Sequence, residues 1–215
     1  MNKIRTLEEV TELLHDDQVL MTGGFLGAGS PDVFIEAILK KGIKGLTVIA
    51  NDTGFPDRGV GKLVVSRQIK KMIATHVGTN KETGRLMNSG EMEVILVPQG
   101  TLAEKIRSAG AGLGGFLTPT GVGTSVEEGK QKITVDGKEY LLELPIKAEI
   151  ALIHAFKADE LGNLAYKVAA RNFNPLMAMA ADLVIAEVED IVNAGELDPD
   201  EIVTPATLVD MIVKV

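Results

Sequence analysis

A short buried strand, a glycine-rich turn, a helix and a second buried strand, met in that order, limit the folds open to this chain more than any other feature. Val19-Leu20-Met21 is a continuous apolar run, and TGGFLGAGSP follows it over residues 22–31. Ser30 as N-cap, Pro31 at the first helical position and Asp32 in the first turn predict a helix running to Lys40-Lys41, closed by Gly42. Leu46 to Ala50, LTVIA, then reads as the second strand. Such a unit takes parallel strands and a right-handed crossover. TGGFLGAG therefore leaves the carboxyl end of the first strand, the edge at which open α/β sheets bind ligands.

The rest of the chain extends this pattern. Leu7, Val10, Leu13 and Leu14 fall at helical spacing, while Ile69 to Ala74 and Glu93 to Val97 read as further strands. Thr101-Leu102-Ala103-Glu104 has the form of a capping box opening a helix that ends near Ala109-Gly110. AGAGLGGFLTPTGVGT, residues 109–124, is too rich in glycine for a regular element. KITV (132–135) and KEYLLEL (138–144), joined by Asp136-Gly137, form an antiparallel hairpin. Residues 148–153 and 182–188 return to buried strands, with a short helix over 175–180 between them. The expectation is an α/β three-layer domain spanning 1–215, built on a mostly parallel open sheet with a β-hairpin excursion, and without internal repeats.

Composition excludes several functions. No apolar run approaches the roughly 20 residues of a membrane span, and MNKIRTLEEVTELL has acids where a secretory signal carries basic and apolar blocks. A soluble, cytoplasmic protein that binds no membrane is expected. The absence of cysteine removes disulfides, thiolate nucleophiles and metal–sulfur centres. A net charge of −8 argues against nucleic-acid binding, and a chain without Trp offers few stacking platforms. His15, His76 and His154 are scattered, so no metal site is expected.

Four glycines between residues 23 and 29 are more than a tight turn needs. They fit neither the dinucleotide fingerprint nor a P-loop, since Asp32 stands where the fingerprint's third glycine belongs and Gly29 leads into Ser30-Pro31. No Gly-x-Ser-x-Gly elbow supports esterase chemistry. Two readings of the loop stay open: tight packing, or a ligand lying against bare backbone whose N–H groups meet an anion. Asn51-Asp52 and Gln99 close putative parallel strands on the same edge, where an uncharged amide can hydrogen-bond a carbonyl or its oxyanion. Lys62, Arg67, Lys70 and Lys71 cluster around a strand, as a solvated face or a local counter to the net negative charge, and Glu91, Glu93 and Glu143 are acids that no neighbour singles out.

These stretches resemble the family I coenzyme A transferases, in particular their alpha subunits of acetate/acetoacetate type. Asp16-Asp17, a buried strand and GGFLGAGSP match the family's first signature, with departures at Asp17 and Thr22, outside the loop's glycines. IANDTGFPDRGVG, VGTNKETGR, SGEMEVILVPQGTLAEKIRSAGAGLGGFLTPTGVGT, ARNFNPLMAMAA and GELDPDEIVTP follow in the family's order. The resemblance implies transfer of coenzyme A between an acyl-CoA and a short-chain carboxylic acid, with no permanently bound cofactor. Coenzyme A binding falls to Gly24, Phe25, Leu26, Gly27, Ala28, Gly29 and Ser30, while Asn51, Asp52 and Gln99 lie in the substrate and oxyanion vicinity. The catalytic glutamate belongs to a Ser-Glu-Asn-Gly motif of the beta half. This chain lacks it, Asn88-Ser89-Gly90-Glu91 having the wrong order. A beta-subunit partner in an α2β2 assembly is implied, and no catalytic residue is assigned here. On this reading Gly27→Val is expected to cut activity and spare the fold. The competing readings are a sugar-phosphate isomerase of similar fold and a non-catalytic coenzyme A-binding module.

Overall fold

The computed structural model describes residues 2–215. Helix α1 (Leu7–Glu12) precedes strand β1 (Val19–Thr22), and α2 (Asp32–Lys41) leads to β2 (Leu46–Ala50). Then come α3 (Val60–Val65), β3 (Ile69–Ala74), α4 (Lys81–Ser89), β4 (Glu93–Leu96) and α5 (Gln99–Gly110). Strands β5 (Phe116–Thr118), β6 (Lys132–Val135) and β7 (Lys138–Glu143) form a separate antiparallel sheet in the order β5-β7-β6. The chain closes with β8 (Ala148–Asp159), β9 (Leu164–Ala165), α6 (Asn174–Met177), β10 (Ala181–Val192) and β11 (Met211–Lys214).

The main sheet runs β11-β10-β8-β1-β2-β3-β4, every pair parallel, with β9 antiparallel against β8. Strand order reverses at β1: β2, β3 and β4 extend to one side of it, β8, β10 and β11 to the other. The crevice above β1 and β8 is the switch point at which such sheets take their ligands. Side chains alternate between two cores, as period-2 strands demand. Leu20, Val48, Ile150 and Leu152 pack with Val10, Phe34, Leu63 and Leu86 of α1 to α4. Met21, Ile49, Ala151 and Ile153 pack with Leu102, Ile106 and Met177 of α5 and α6. Helices thus cover both faces, giving the three expected layers.

The hairpin turn is as predicted, with Asp136 at φ 49° and Gly137 at φ 74°, the left-handed pair of a type I′ turn. Gly42 likewise closes α2 in the left-handed conformation. Other local expectations are corrected. Helix α2 begins at Asp32 with Pro31 at the N-cap, not at Pro31 with Ser30 capping, and no side-chain cap comes from within the segment. Instead the Val33 N–H donates to Glu187 Oε2 on β10 at 2.9 Å. Helix α5 begins at Gln99, a turn earlier than the Thr101 capping box predicts, and Thr101 is buried inside it. Within the glycine-rich 109–124 stretch, Phe116–Thr118 does form a strand, because β7 supplies the hydrogen bonds. The short helix expected over 175–180 starts one residue early and ends at Met177.

Candidate functional site

Loop 23–29 stands at the carboxyl end of β1, over the switch point. Phe25 and Ala28 exchange backbone hydrogen bonds of 3.0 and 2.9 Å, making a miniature hairpin with Leu26 at φ 50° and Gly27 at φ 89°. Side chains from distant segments pin this hairpin. From β2's end, Asp52 Oδ2 accepts the Leu26 N–H at 3.0 Å, while its Oδ1 accepts the Gly54 N–H at 2.7 Å. From the far side, Asn172 Oδ1 accepts the Gly24 N–H at 3.2 Å and its Nδ2 donates to Ala28 O at 2.9 Å. Asn174 Nδ2 donates to Gly29 O, also at 2.9 Å. Among the described residues, two loop amides, the N–H groups of Gly27 and Gly29, have no hydrogen-bond partner.

Close packing accounts for much of the glycine content. A Cβ on Gly23 would lie 1.6 Å from Asn174 Oδ1, and one on Gly27 would lie 2.9 Å from Arg58 Cδ. Gly27→Val is therefore a poor probe of function, since it strains a left-handed backbone and displaces Arg58. Exposure falls on the loop's rim, at Phe25 and Ala28.

Asn51 and Asp52 at the end of β2 and Gln99 beyond β4 form one chain of hydrogen bonds. Gln99 Nε2 donates to Asn51 Oδ1 at 2.8 Å, and Asn51 Nδ2 to Asp52 Oδ2 at 3.0 Å. Their accessibility differs: Asn51 is 0% and Asp52 4% exposed, whereas Gln99 is exposed. Asn51 and Asp52 thus support the loop from behind. Gln99 keeps its second amide hydrogen for whatever occupies the crevice.

Opposite lies a loop of the same form. GFPDRG (54–59) repeats the Gly-Phe-x-x-x-Gly of GFLGAG (24–29), and each carries a backbone bridge, Phe25 to Ala28 and Phe55 to Arg58. The expectation of no internal repeat is corrected at this local scale. Arg58 lies over the Phe55 ring, 5.1 Å from its centroid, and its stem packs on Gly27. An open cavity of 270 Å³ borders the glycine loop on its other flank, lined by Ala28, Gly29, His154, Phe156, Lys167 and Glu189 among others. A 660 Å³ groove along α1 and α2 contains none of the predicted site residues.

Other candidates separate from the site. Lys62 pairs with Glu36, Arg67 with Glu91 at 3.3 Å, and Lys71 with Glu93 at 3.0 Å, while Lys70 is exposed, so three of these four bases belong to surface ion pairs. Glu143 is buried against Lys105 and Lys130 beneath the small sheet. Sequence reasoning missed Asn172 and Asn174 as loop supports. Their spacing in ARNFNP was the one signal, and it does not say which backbone they reach.

Comparison with known proteins completes the picture. The chain is 57% identical over 211 residues to the acetate CoA-transferase subunit alpha of Escherichia coli K12, covering 98% of this chain and 96% of that one. It is 47% identical over 213 residues to the acetoacetyl-CoA:acetate/butyrate CoA transferase alpha subunit of Clostridium acetobutylicum, covering 99% and 98%. In fold it is similar to an acyl-CoA transferase from E. coli O157:H7 solved as a thioester complex with CoA, with a TM-score of 0.87 and 22% identity; all of this chain aligns with 47% of that longer one. The coenzyme A transferase family model matches residues 4–215, and the chain belongs to that family.

Proposed function

We propose that this chain is the alpha subunit of a short-chain acyl-CoA:carboxylate CoA-transferase, working with a beta subunit in an α2β2 assembly in the cytoplasm. The acids are acetate, acetoacetate, butyrate or close analogues, and coenzyme A is a substrate rather than a resident cofactor. A glutamate carboxylate of the beta subunit attacks the acyl-CoA carbonyl, expelling the CoA thiolate and forming an acyl-glutamyl anhydride. The thiolate then attacks the glutamyl carbonyl, releasing the first acid and leaving a glutamyl-CoA thioester. The second acid's carboxylate attacks that thioester, and the same steps in reverse deliver the new acyl-CoA and free the glutamate. Two uncharged main-chain donors in a rigid loop suit an oxyanion or thioester carbonyl in such a sequence.

The observation that carries this reading is the pair of free N–H groups at Gly27 and Gly29, in a loop whose other amides are tied and which stands at the sheet's switch point beside the exposed Gln99. Gly24 to Ser30 is thus taken as the coenzyme A segment. The relatives' names supply the alpha designation and the acids. The absence of Ser-Glu-Asn-Gly from this chain supports a catalytic glutamate on the partner.

The test is co-expression with the beta subunit, followed by borohydride reduction in the presence of acyl-CoA and peptide mapping. Turnover in the mixture alone, with the reduced glutamate on the partner, is expected. A modified acid on this chain, or turnover by this chain alone, overturns the division of labour. Ala28→Glu, on the exposed rim and outside the left-handed positions, is expected to abolish use of acyl-CoA with an unchanged melting temperature.

A further inference from the structure

His154 is a half-buried titratable side chain beside the glycine loop for which the transfer chemistry has no use. Its Nδ1 lies 3.1 Å from Glu187 Oε1 and its Nε2 3.4 Å from Glu189 Oε1. Glu187 is 3% exposed, and its second oxygen is the acceptor that caps α2 at Val33. The backbone N–H of His154 donates to Asn174 Oδ1 at 2.9 Å, and Asn174 holds the Gly29 carbonyl. One residue thereby grips both ends of segment 29–33: its main chain reaches Gly29 through Asn174, and its ring reaches Val33 through Glu187.

We propose that His154 and Glu187 are positioning residues for the transferase reaction, an ion pair that fixes the height of the glycine loop and the start of α2 against the switch point. The proposal rests on the glycine loop being the thioester cradle. Nothing in the pair touches substrate; it acts through Asn174 and through the Val33 amide. A buried carboxylate needs its partner charged, because an uncompensated buried charge is costly. The charged groups facing the ring are Glu187 and Glu189 on β10 and Lys167 across the cavity, while α6 contributes the neutral Asn174. Burial opposes the imidazolium, but Glu187 and then Glu189 outweigh it and hold His154 above its ordinary pKa. The proton, and with it the intact pair, is therefore retained below the raised value and lost as pH rises through it.

The experiment uses the co-purified αβ enzyme and compares wild type with His154→Gln and Glu187→Gln for kcat/KM on acyl-CoA across pH, with melting temperatures alongside. Wild type is expected to show a falling alkaline limb, above the roughly 6.5 of an ordinary imidazole. His154→Gln, which keeps a hydrogen bond and cannot titrate, is expected to lose that limb and to lie about tenfold lower than wild type on the acid side of it. Glu187→Gln should match it. Variants with the wild-type limb and wild-type kcat/KM overturn the proposal, as does a loss uniform across pH that tracks melting temperature. Normal turnover by Ala28→Glu instead removes the cradle reading, and this proposal with it, whatever the histidine variants do.

Discussion

At the scale of single residues, the loop is governed by two amides left free and by one buried carboxylate that ties down several others. Asp52 accepts from three donors, the Leu26 and Gly54 amides and Asn51 Nδ2, in a 4% exposed position. Asp52→Asn sets an amide hydrogen against at least one of those donors, and leaving a buried donor unmet costs about 1–3 kcal/mol. Urea denaturation of the purified chain should show a loss of that size; an unchanged midpoint means that the loop is not held from β2. The glycines were legible in the sequence and their reasons were not. Four in seven positions can announce a ligand or close packing, and Asn174, which crowds Gly23, lies 151 residues further along. Gln99 was legible as a polar group at a strand end, but only its exposure separates it from Asn51 and Asp52.

Among the elements, β2, β3 and the β6–β7 hairpin follow from their own residues. Apolar runs of β-branched type and an Asp-Gly pair are local signals. Gly137→Ala keeps a left-handed site without the residue that tolerates it, and should destabilise the small sheet by about 1–2 kcal/mol. Hydrogen exchange confined to 132–143 is the measurement, and protection equal to wild type refutes it. The same sheet is tied to α5 through Glu143, where Lys105 donates at 3.1 Å and Lys130 closes the other side. Burial pushes this carboxyl up, yet the two lysines prevail and hold it below its ordinary value. A depressed folded pKa means stability that is present above the unfolded value and lost as pH falls through the folded one. Exchange in 132–143 should therefore rise below about pH 4, and Glu143→Gln should abolish that rise. Helix starts were the least legible feature. Ser30 and Thr101 have the right side chains for caps, but α2 takes its cap from Glu187 and α5 begins behind Pro98.

For the molecule as a whole, two cores share the strands of one seven-strand parallel path, since Leu20 faces one core and Met21 the other. Residues 2–215 are expected to unfold at neutral pH as one cooperative unit, with calorimetric and van't Hoff enthalpies equal within error. Two resolved transitions would contradict this. Among the described residues no helix is long and apolar enough to cross a membrane.

By itself the sequence determined the kind and order of most elements, the parallel βαβ start, the hairpin and the family, because periodicity, turn chemistry and motif order are properties of neighbouring residues. Tertiary structure decided which atoms meet at the glycine loop. Asp52, Asn172 and Asn174 reach it from separate segments, Glu187 reaches the adjoining start of α2, and only the strand order around β1 brings them there. Hydrogen bonds act over about 3 Å; a linear code does not specify such proximity until the sheet that creates it has formed.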